Sequence, residues 1–406
     1  MGKPDREAGM RTSRRGVLRL GVALLSSTAL AACTSGSFDR LGVETPGGPG
    51  PAPGAEPQPG AAIGTGQVRV GLILPMSAPG NAGIAATSMR NAAELAITEF
   101  KNPDLQLLVK DDGGTPQGAQ TAVQQALAEG ARIIVGPIFA QSVSAVAPIA
   151  RQSNVPIIAF STDTNVAARG VYLLSFLPES DVHRIIDFSI TRGKRSFAAL
   201  IPDNAYGTVV EAAFQQAAAR RGGRVVALER YPADPARRQE AIRRIAAAAR
   251  RADAIFIPDN AETVPQIVQG LSGAGANLRR VQLIGTGLWD EPSLFANPSM
   301  NGGWFAAPGA EGFRNFSQRY RARYGQEPVR TSSLAYDAVA LIAALVKTQG
   351  PQSLNDQTLT NASGFAGIDG VFRFRADGTN ERGLAVMEIK PSGSVVISQP
   401  PRSFGS

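Results

Sequence analysis

From Gln67 onward, short apolar runs alternate with longer segments in which apolar residues recur every three or four positions. The short runs are rich in Val, Ile and Leu and predict strands. The longer segments predict amphipathic helices, and the first has one apolar face formed by Met89, Ala92, Ala96 and Phe100. Regular alternation of strand and helix is typical of an α/β fold with parallel sheets.

The alternating pattern occurs twice along the chain. In the first series, strands are predicted at residues 68–74, 105–110, 132–135 and 155–160. In the second, they are predicted at 197–201, 225–228, 254–257 and 281–284, with helices between them. Residues 370–374, 384–389 and 394–397 predict further β structure, joined by Gly-containing turns. Two series of the same kind predict two lobes of one architecture, each with a parallel sheet flanked by helices.

The N-terminal segment has the composition of an export signal. Residues 11–33 begin with arginines, continue with an apolar stretch from about Leu20 to Ala32, and end with small residues before Cys33. The stretch is too short, and too polar at its centre, for a secure transmembrane helix. Residues 13–18, SRRGVL, resemble a twin-arginine export motif, and export by the general secretory route remains open.

Cys33 ends the sequence LAAC, which resembles a lipobox. This resemblance implies that residues 1–33 are signal peptide and lipobox, that the Cys33 thiol is diacylated, and that the chain is cut before it. An incidental or buried cysteine is the alternative; with a single cysteine the chain forms no internal disulfide. The Pro- and Gly-rich residues 34–66 predict a tether. We expect a periplasmic, lipid-anchored protein, and Thr34 favours the outer membrane.

The formal net charge of +8 does not indicate a nucleic-acid partner. Residues 1–32 hold one Lys, five Arg, one Asp and one Glu, a net +4, which leaves +4 for the remainder. Arginine pairs at 237–238, 243–244 and 250–251 are spaced among alanines, as on a solvated helix face. No aromatic residues interleave with them, so we predict no nucleic-acid binding.

The sequence offers little for catalysis. His183 is the only histidine, no G-x-S-x-G motif accompanies it, and it is predicted to lie at the surface or at a boundary near a helix start. Asp111, Asp112 and Asp203 follow predicted strands, where they could be metal ligands or an acid–base pair. We favour the simpler interpretation that they cap nearby amides. The sequence therefore predicts a non-enzyme without cofactor or metal.

Several short motifs occur in a recognisable order between residues 67 and 397. They are GLILP at 71–75, DDGGTP at 111–116, VGP at 135–137, NVPII at 154–158, PDNAYG at 202–207 and YDAV at 336–339. In this order they resemble the type I periplasmic binding proteins of the leucine/isoleucine/valine-binding kind. Within that superfamily, GPIF at 136–139, AFSTD at 159–163, GTGLWD at 285–290 and GGWF at 302–305 look like the C-terminal domain of lipoproteins that activate class A penicillin-binding proteins.

The resemblance implies that a ligand sits between two lobes, at the carboxyl ends of the strands. Tyr206 would cover it, with packing at a helix start as the alternative, and Trp289 could equally be a core residue. Phe139 and Ala140 stand where amino-acid binders commonly offer a small hydroxyl, and no acidic partner for an ammonium group is identifiable. The matching ligand-binding positions are Ser77, Phe139, Ala140, Gln141, Ser142, Ser161, Thr162, Asp163, Thr164, Tyr206, Asn260 and Trp289.

The resemblance also implies the domain plan and the function. The first lobe is expected to contain residues 67–178 plus 304–364, and the second 179–303 plus 365–406, with opening by hinge bending. We expect a non-catalytic binding protein for a small polar, amino-acid-like ligand, which an ABC permease would accept. The alternative is an activator of a penicillin-binding protein that regulates peptidoglycan synthesis, although the long helical N-terminal domain of enteric activators is missing.

Overall fold

The computed structural model describes residues 62–404. The predicted signal peptide, the lipobox with Cys33 and almost all of the predicted tether lie outside the described residues.

The first lobe is built on five parallel strands. They lie side by side in the order second, first, third, fourth, fifth. Helices that connect the first four return the chain to the same edge, as parallel pairing requires. The elements are β1 (Val68–Leu74), α1 (Asn81–Glu99), β2 (Leu105–Asp111), α2 (Pro116–Ala128), β3 (Ile133–Val135), α3 (Ala140–Gln152), β4 (Ile157–Ala159) and β5 (Val171–Leu173).

The second lobe is built on a seven-stranded sheet in which five strands pair in parallel and two further strands are added through antiparallel pairs. The elements up to its fifth strand are α4 (Pro178–Thr191), β6 (Ser196–Pro202), α5 (Ala205–Arg220), β7 (Arg224–Tyr231), α6 (Pro235–Ala248), β8 (Ala254–Phe256), α7 (Thr263–Gly273), β9 (Gln282–Gly285), α8 (Pro292–Phe295) and β10 (Trp304–Ala307). The last two strands are β14 (Ala385–Lys390) and β15 (Gly393–Ser398). The strand order is β15-β14-β10-β9-β8-β6-β7.

Between β10 and β14 the chain returns to the first lobe. It forms α9 (Ala310–Tyr324), α10 (Ser332–Gln349), α11 (Asp356–Leu359) and a small antiparallel sheet of β11 (Phe365–Gly367), β12 (Gly370–Phe374) and β13 (Asn380–Arg382). Phe372 and Phe374 are buried in the core of the first lobe together with residues of α1 and α10.

The core of the first lobe has two layers because the side chains of a strand alternate between its faces. Val70 and Leu72 of β1 pack with α1 and α10, whereas Ile73 packs with α2 and α3. Burial on both faces explains why β1 reads as an almost unbroken apolar run rather than as an alternating one. The structure thus confirms the predicted α/β fold with two lobes.

Two predicted lobe boundaries differ from the strand pairing. The sequence assigns residues 304–364 to the first lobe, but Trp304–Ala307 pairs with β9 and β14 inside the second sheet. It assigns residues from 365 onward to the second lobe, but β11–β13 belong with the first. The backbone pairing therefore moves these crossings to about 308 and 383. The crossing predicted near 178 falls at the first residue of α4.

Within residues 62–404, no helix has the length and apolar character that a membrane span requires. The same part of the chain contains no cluster of three or more His, Cys, Asp or Glu side chains arranged to hold a metal ion.

Candidate functional site

The carboxyl ends of the two sheets meet at the start of α4. Thr164, which follows β4, donates from Oγ1 to Glu179 Oε1 at 3.3 Å. Gly287, which follows β9, donates its backbone N–H to Asp181 Oδ2 at 2.9 Å. Glu179 and Asp181 lie in the first turn of α4. We call Thr164, Glu179, Asp181 and residues 286–287 the cleft floor.

Tyr206 joins the cleft floor from the second lobe. Its hydroxyl forms a 2.8 Å hydrogen bond with Thr286 Oγ1. Asn204 fixes this position, because its Oδ1 accepts the N–H of Gly207 at 2.8 Å and thereby caps α5. Burial raises the pKa of Tyr206, so the phenol stays protonated at neutral pH. The ring is partly buried and packs on the core of the second lobe, so the predicted packing role is also realised.

Gly136 sets the course of the loop after β3. Its φ is +95°, and a Cβ there would lie 2.0 Å from the carbonyl oxygen of Ile73, so only glycine fits. The loop brings Phe139 to the N-terminus of α3, where it lies against Gly114. Ala140 keeps some exposed surface and Gln141 is exposed, but Ser142 is fully buried. The structure therefore places Ser142 inside the lobe, out of reach of a ligand.

Ser77 and Asp111 form a second polar pair at the same edge of the first sheet. Asp111 Oδ1 accepts the N–H of Ser77 at 3.2 Å and that of Gly113 at 2.9 Å. Burial acts to raise the pKa of Asp111, but hydrogen bonds from Ser77 and Gly113 outweigh it and lower the pKa overall. Asp112 Oδ1 likewise accepts the N–H of Gly114 at 2.8 Å. Both carboxylates cap amides, as predicted.

The loop after β4 presents residues 161–164. Ser161 is buried and its Oγ accepts the N–H of Asp163 at 3.1 Å. Asp163 in turn accepts the N–H of Asn165 and caps a short 3₁₀ turn. Thr162 and Asp163 are exposed, so they are the accessible polar groups of this loop.

Two carboxyl groups of the cleft floor were not predicted. Burial raises the pKa of Asp181 to about 7, although the N–H of Gly287 partly stabilises the ionised form. Burial also raises the pKa of Glu179, and its Oε2 has no hydrogen-bond partner among the described residues. A motif search misses both because they sit in the connection between two lobes, in an ordinary helical turn after Pro178.

Asn260 and Asp259 follow β8 on the second lobe. Asn260 is exposed, and its Oδ1 accepts the N–H groups of Glu262 and Thr263 at 3.0 Å each. Asp259 accepts the phenol proton of Tyr231. Asn260 therefore shapes the turn before α7 at the carboxyl end of β8.

Trp289 does not line the site. It is fully buried in the core of the second lobe and donates from Nε1 to the carbonyl oxygen of Ile257 at 3.1 Å. A Cβ atom on Gly285 would lie only 2.1 Å from the indole ring, and one on Gly303 would lie 3.1 Å from it. Assigning Trp289 to the ligand is therefore wrong, and the core alternative is correct, because two glycines make room for the ring.

Two arginines lie over the ring of Phe176, where the chain leaves the first lobe. Arg330 is 4.6 Å from the ring centre and forms a two-point ion pair with the buried Asp369. Arg382 is 4.7 Å from it, is 5% exposed, and donates from Nε to the carbonyl oxygen of Ser175 at 3.0 Å. The two terminal nitrogens of Arg382 are buried without a partner among the described residues.

The predicted residues thus separate into three groups. Thr164 and Tyr206 belong to the cleft floor or contact it. At the carboxyl edges of the sheets, Ala140 and Gln141 lie in the first turn of α3, and loops hold Ser77, Phe139, Ser161, Thr162, Asp163 and Asn260. Ser142 and Trp289 are core residues. A cavity of about 740 Å³ lies elsewhere, at the amino ends of β4 and β5, where this fold does not bind its ligands.

A family model described as "Periplasmic binding protein" matches residues 67–394. The chain belongs to this family. An uncharacterised protein of Rickettsia prowazekii is 19% identical over 179 residues, which are 44% of this chain and 47% of that protein. The chain thus spans about half the length of the curated relative that it matches.

Solved structures of periplasmic binding proteins have the same fold. A candidate branched-chain amino acid ABC transporter protein of Rhodospirillum rubrum is 19% identical with a TM-score of 0.72, and the match covers 81% of this chain and 99% of that one. An ABC transporter solute-binding protein of Rhodopseudomonas palustris, in complex with 3,4-dihydroxybenzoic acid, is 20% identical with a TM-score of 0.57, and the match covers 83% and 97%.

Proposed function

We propose that this periplasmic binding protein is non-catalytic and holds a small polar, amino-acid-like ligand between its two lobes for delivery to an ABC permease. The observation that carries the proposal is the cleft floor, where loops from the carboxyl ends of both sheets meet at one helix start. In the described residues this region offers hydroxyls, amides and carboxyls without a histidine or a cysteine, a set suited to binding rather than to nucleophilic catalysis.

The two lobes offer different partners to a zwitterionic ligand. The first-lobe loops supply hydroxyl groups and a helix start at residues 139–141, which favour a carboxylate. The cleft floor supplies Glu179 and Asp181, the acidic groups that an ammonium ion requires. Because burial raises the pKa of Asp181 to about 7, a cationic group beside it would expel the proton. Ligand binding should then release protons near pH 7 and tighten as the pH rises.

The first experiment is a thermal-shift screen of the purified protein against amino acids, muropeptides and small aromatic acids. A ligand present at about 100 times its Kd stabilises the folded state by about 2.7 kcal/mol, which is a clear rise in melting temperature. The aromatic acids are included because the Rhodopseudomonas protein holds one. If no compound in any class raises the melting temperature, the ligand-binding proposal fails.

Variants then locate the site. Thr162→Ala and Tyr206→Phe each remove one hydroxyl at the cleft and should weaken binding of the ligand found in the screen. Thr121→Ala is the matched control, since Thr121 is exposed on α2 and bonds only to the carbonyl oxygen of Gln117. Equal affinities in all three variants would place the ligand outside the cleft. Titration calorimetry in two buffers of different ionisation enthalpy measures the proton release.

The proposal includes attachment to a membrane through Cys33, with residues 34–66 as tether. Support comes from the sequence alone: the apolar stretch, the LAAC motif and the Pro- and Gly-rich segment follow one another directly. Metabolic labelling with palmitate tests it. Label should appear in the native protein and be absent from Cys33→Ser, and label retained in that variant would rule out this anchor.

Activation of a penicillin-binding protein is the alternative function. Two of the motifs that suggest it, at 285–290 and 302–305, contain the glycines that accommodate Trp289, so they are explained by packing. No feature of residues 62–404 singles out a docking surface for such a partner, which is why ligand binding is the first proposal. A pull-down with purified penicillin-binding proteins discriminates, since cleft variants should leave the capture of a surface partner unchanged.

A further inference from the structure

A second cavity, of about 630 Å³, lies on another face of α4 from the cleft floor. Its walls come from four places: α4 itself, the C-terminal end of α5, residues 375–384 around β13, and the C-terminal residues 398–404. The first two belong to the second lobe, and β13 is packed with the first. A molecule bound here would touch both lobes.

The walls carry more positive than negative charge. Five arginines line the cavity and only two acids, Asp187 and Glu381. Asp187 is shared, since Arg221 Nε lies 2.9 Å and Arg220 3.5 Å from its Oδ1. Each of these arginines keeps roughly half of its side chain exposed, Arg220 at 52% and Arg221 at 46%.

The same sharing occurs on the opposite wall. Glu381 lies 2.8 Å from Arg373 and 3.2 Å from Arg375, so one carboxylate faces two guanidinium groups. Arg184 is held by oxygens of Leu384, Ser398 and Gln399, and serves the fold. The cavity thus has a surplus of guanidinium donors on two walls, at Arg220 and Arg221 and at Arg375.

His183 lies between these walls. Its Nε2 is buried with no hydrogen bond to any described residue. Burial lowers the pKa of His183, and the charges of Arg220 and Arg375 lower it further, while Asp187 and Gln216 act in the opposite direction. The imidazole is therefore neutral at neutral pH and lies among arginines whose positive charge Asp187 and Glu381 balance only in part.

We propose that this arginine pocket, formed by His183, Arg220, Arg221 and Arg375, binds a small anion that carries at least two phosphate or carboxylate groups. Guanidinium forks match the oxygens of both groups, and arginines on two walls suit two anionic ends rather than one. The volume of about 630 Å³ accommodates an anion much larger than inorganic phosphate. This site is separate from the cleft and does not depend on the ligand proposed there.

His183 provides the readout, because the chain contains one histidine and its ring protons give one set of NMR signals. In the full chain at physiological salt, citrate and pyrophosphate should each shift these signals saturably. An anion next to the imidazole favours its charged form, so the pKa of His183 should rise by roughly one unit or more on binding. Absence of saturation with both anions, or an unchanged pKa, would overturn the proposal.

A charge-matched pair of variants separates a site from general attraction. Arg220→Gln with Arg221→Gln should weaken binding roughly tenfold or more, since it removes charge-assisted hydrogen bonds. Arg250→Gln with Arg251→Gln removes the same charge from an exposed pair outside the pocket and should leave binding unchanged. Equal losses in both variants would show unspecific attraction and refute the site. Arg375→Gln, on the other wall, repeats the test without altering α5.

A third arm distinguishes the source of the anion. Vesicles containing phosphatidylglycerol are compared with soluble pyrophosphate and citrate in co-sedimentation and in the His183 signal. Binding of soluble anions without vesicle binding supports the proposal as stated. Vesicle binding with no response to either soluble anion would overturn it in favour of a membrane contact.

Discussion

The two sides of α4 differ in charge although they belong to the same helix. Toward the cleft, Glu179 and Asp181 are carboxyls with raised pKa values, held by a hydroxyl and a backbone N–H. Toward the arginine pocket, His183 has a lowered pKa beside guanidinium groups. Neighbouring residues of one helix thus meet opposite electrostatic surroundings, as the proposed cation-binding cleft and the proposed anion-binding pocket require.

The difference predicts opposite responses to pH. The folded pKa of Asp181, about 7, lies above its ordinary value, so its contribution to stability is full in acid and is lost as the pH rises toward 7. The pKa of His183 lies below its ordinary value of 6.5, so its contribution is full above that value and is lost as the pH falls. At no single pH do both groups make their full contribution to stability.

Arg382→Ala should have the largest effect. It removes a buried cation that faces the acids Asp369, Asp337 and Asp181, and it breaks the bond to Ser175. Loss of one member of a buried charged group costs about 3 to 5 kcal/mol, and the pKa of Asp181 should rise further. Urea denaturation at pH 7 measures the cost. Arg250→Ala, at an exposed arginine, is the control, and an equal loss of stability in that variant would contradict the special role of the buried Arg382.

Asp181→Asn should stabilise the protein at pH 8 by about 1 to 3 kcal/mol, because the carboxyl that must ionise in a buried position is gone. The loss of stability between pH 4 and pH 7 should shrink but persist, since burial also raises the pKa of Asp337 to about 7. Melting temperatures across this range test it against Asp203→Asn, whose carboxylate is 56% exposed. A stabilisation of the same size in that control would contradict the assignment to Asp181.

His183→Gln should act on the other side of the helix and in the other pH range. The native protein should lose stability from pH 7 to pH 5, and the variant should lose less by up to about 1 kcal/mol, because no buried imidazole has to be charged. Scanning calorimetry at the two pH values provides the measurement. Identical losses would mean that His183 is solvated in solution.

The ion pair between Arg221 and Asp187 should have the smallest effect, about 0.2 to 1 kcal/mol, because both side chains are partly exposed and water screens them. A double-mutant cycle with Arg221→Gln and Asp187→Asn measures the pair, and the value should fall at high salt. A coupling that is larger and insensitive to salt would show that the pocket is less open to solvent than the structure indicates.

The sequence predicts the fold because its signal is local. β1 coincides with the predicted 68–74, and most strands of the two series agree within two residues, since each is an apolar run between helices. β10 lacks such a signal: it has four residues, Trp304–Ala307, and its place depends on pairing with β9 and with the distant β14. The glycines at 302–303 precede β10 and suggest a boundary between the lobes there, but the strand pairing of β10 places it inside the second lobe.

The candidate site is less predictable than the fold, because burial decides it. A tryptophan near the carboxyl end of a strand fits a ligand platform as well as a core, and only the space left by Gly285 settles that Trp289 is core. Asp181 and Glu179 become notable only because the fold buries them beside Gly287 and Thr164. The spacing of residues along the chain does not predict which side chains will be buried beside one another in this way.

The chain crosses between the lobes three times, near residues 178, 308 and 383, and this path limits how it can fold during synthesis. The first sheet is complete at Leu173, but α10, which covers one of its faces, comes only at Ser332–Gln349. Likewise, β10 cannot pair with its neighbour β14 until Ala385–Lys390 has been synthesised. Contacts that join distant parts of a chain form slowly and leave apolar surface uncovered meanwhile. The first lobe therefore cannot cover its sheet until the chain has been synthesised through α10, and the second lobe cannot complete its sheet until β14 has been made.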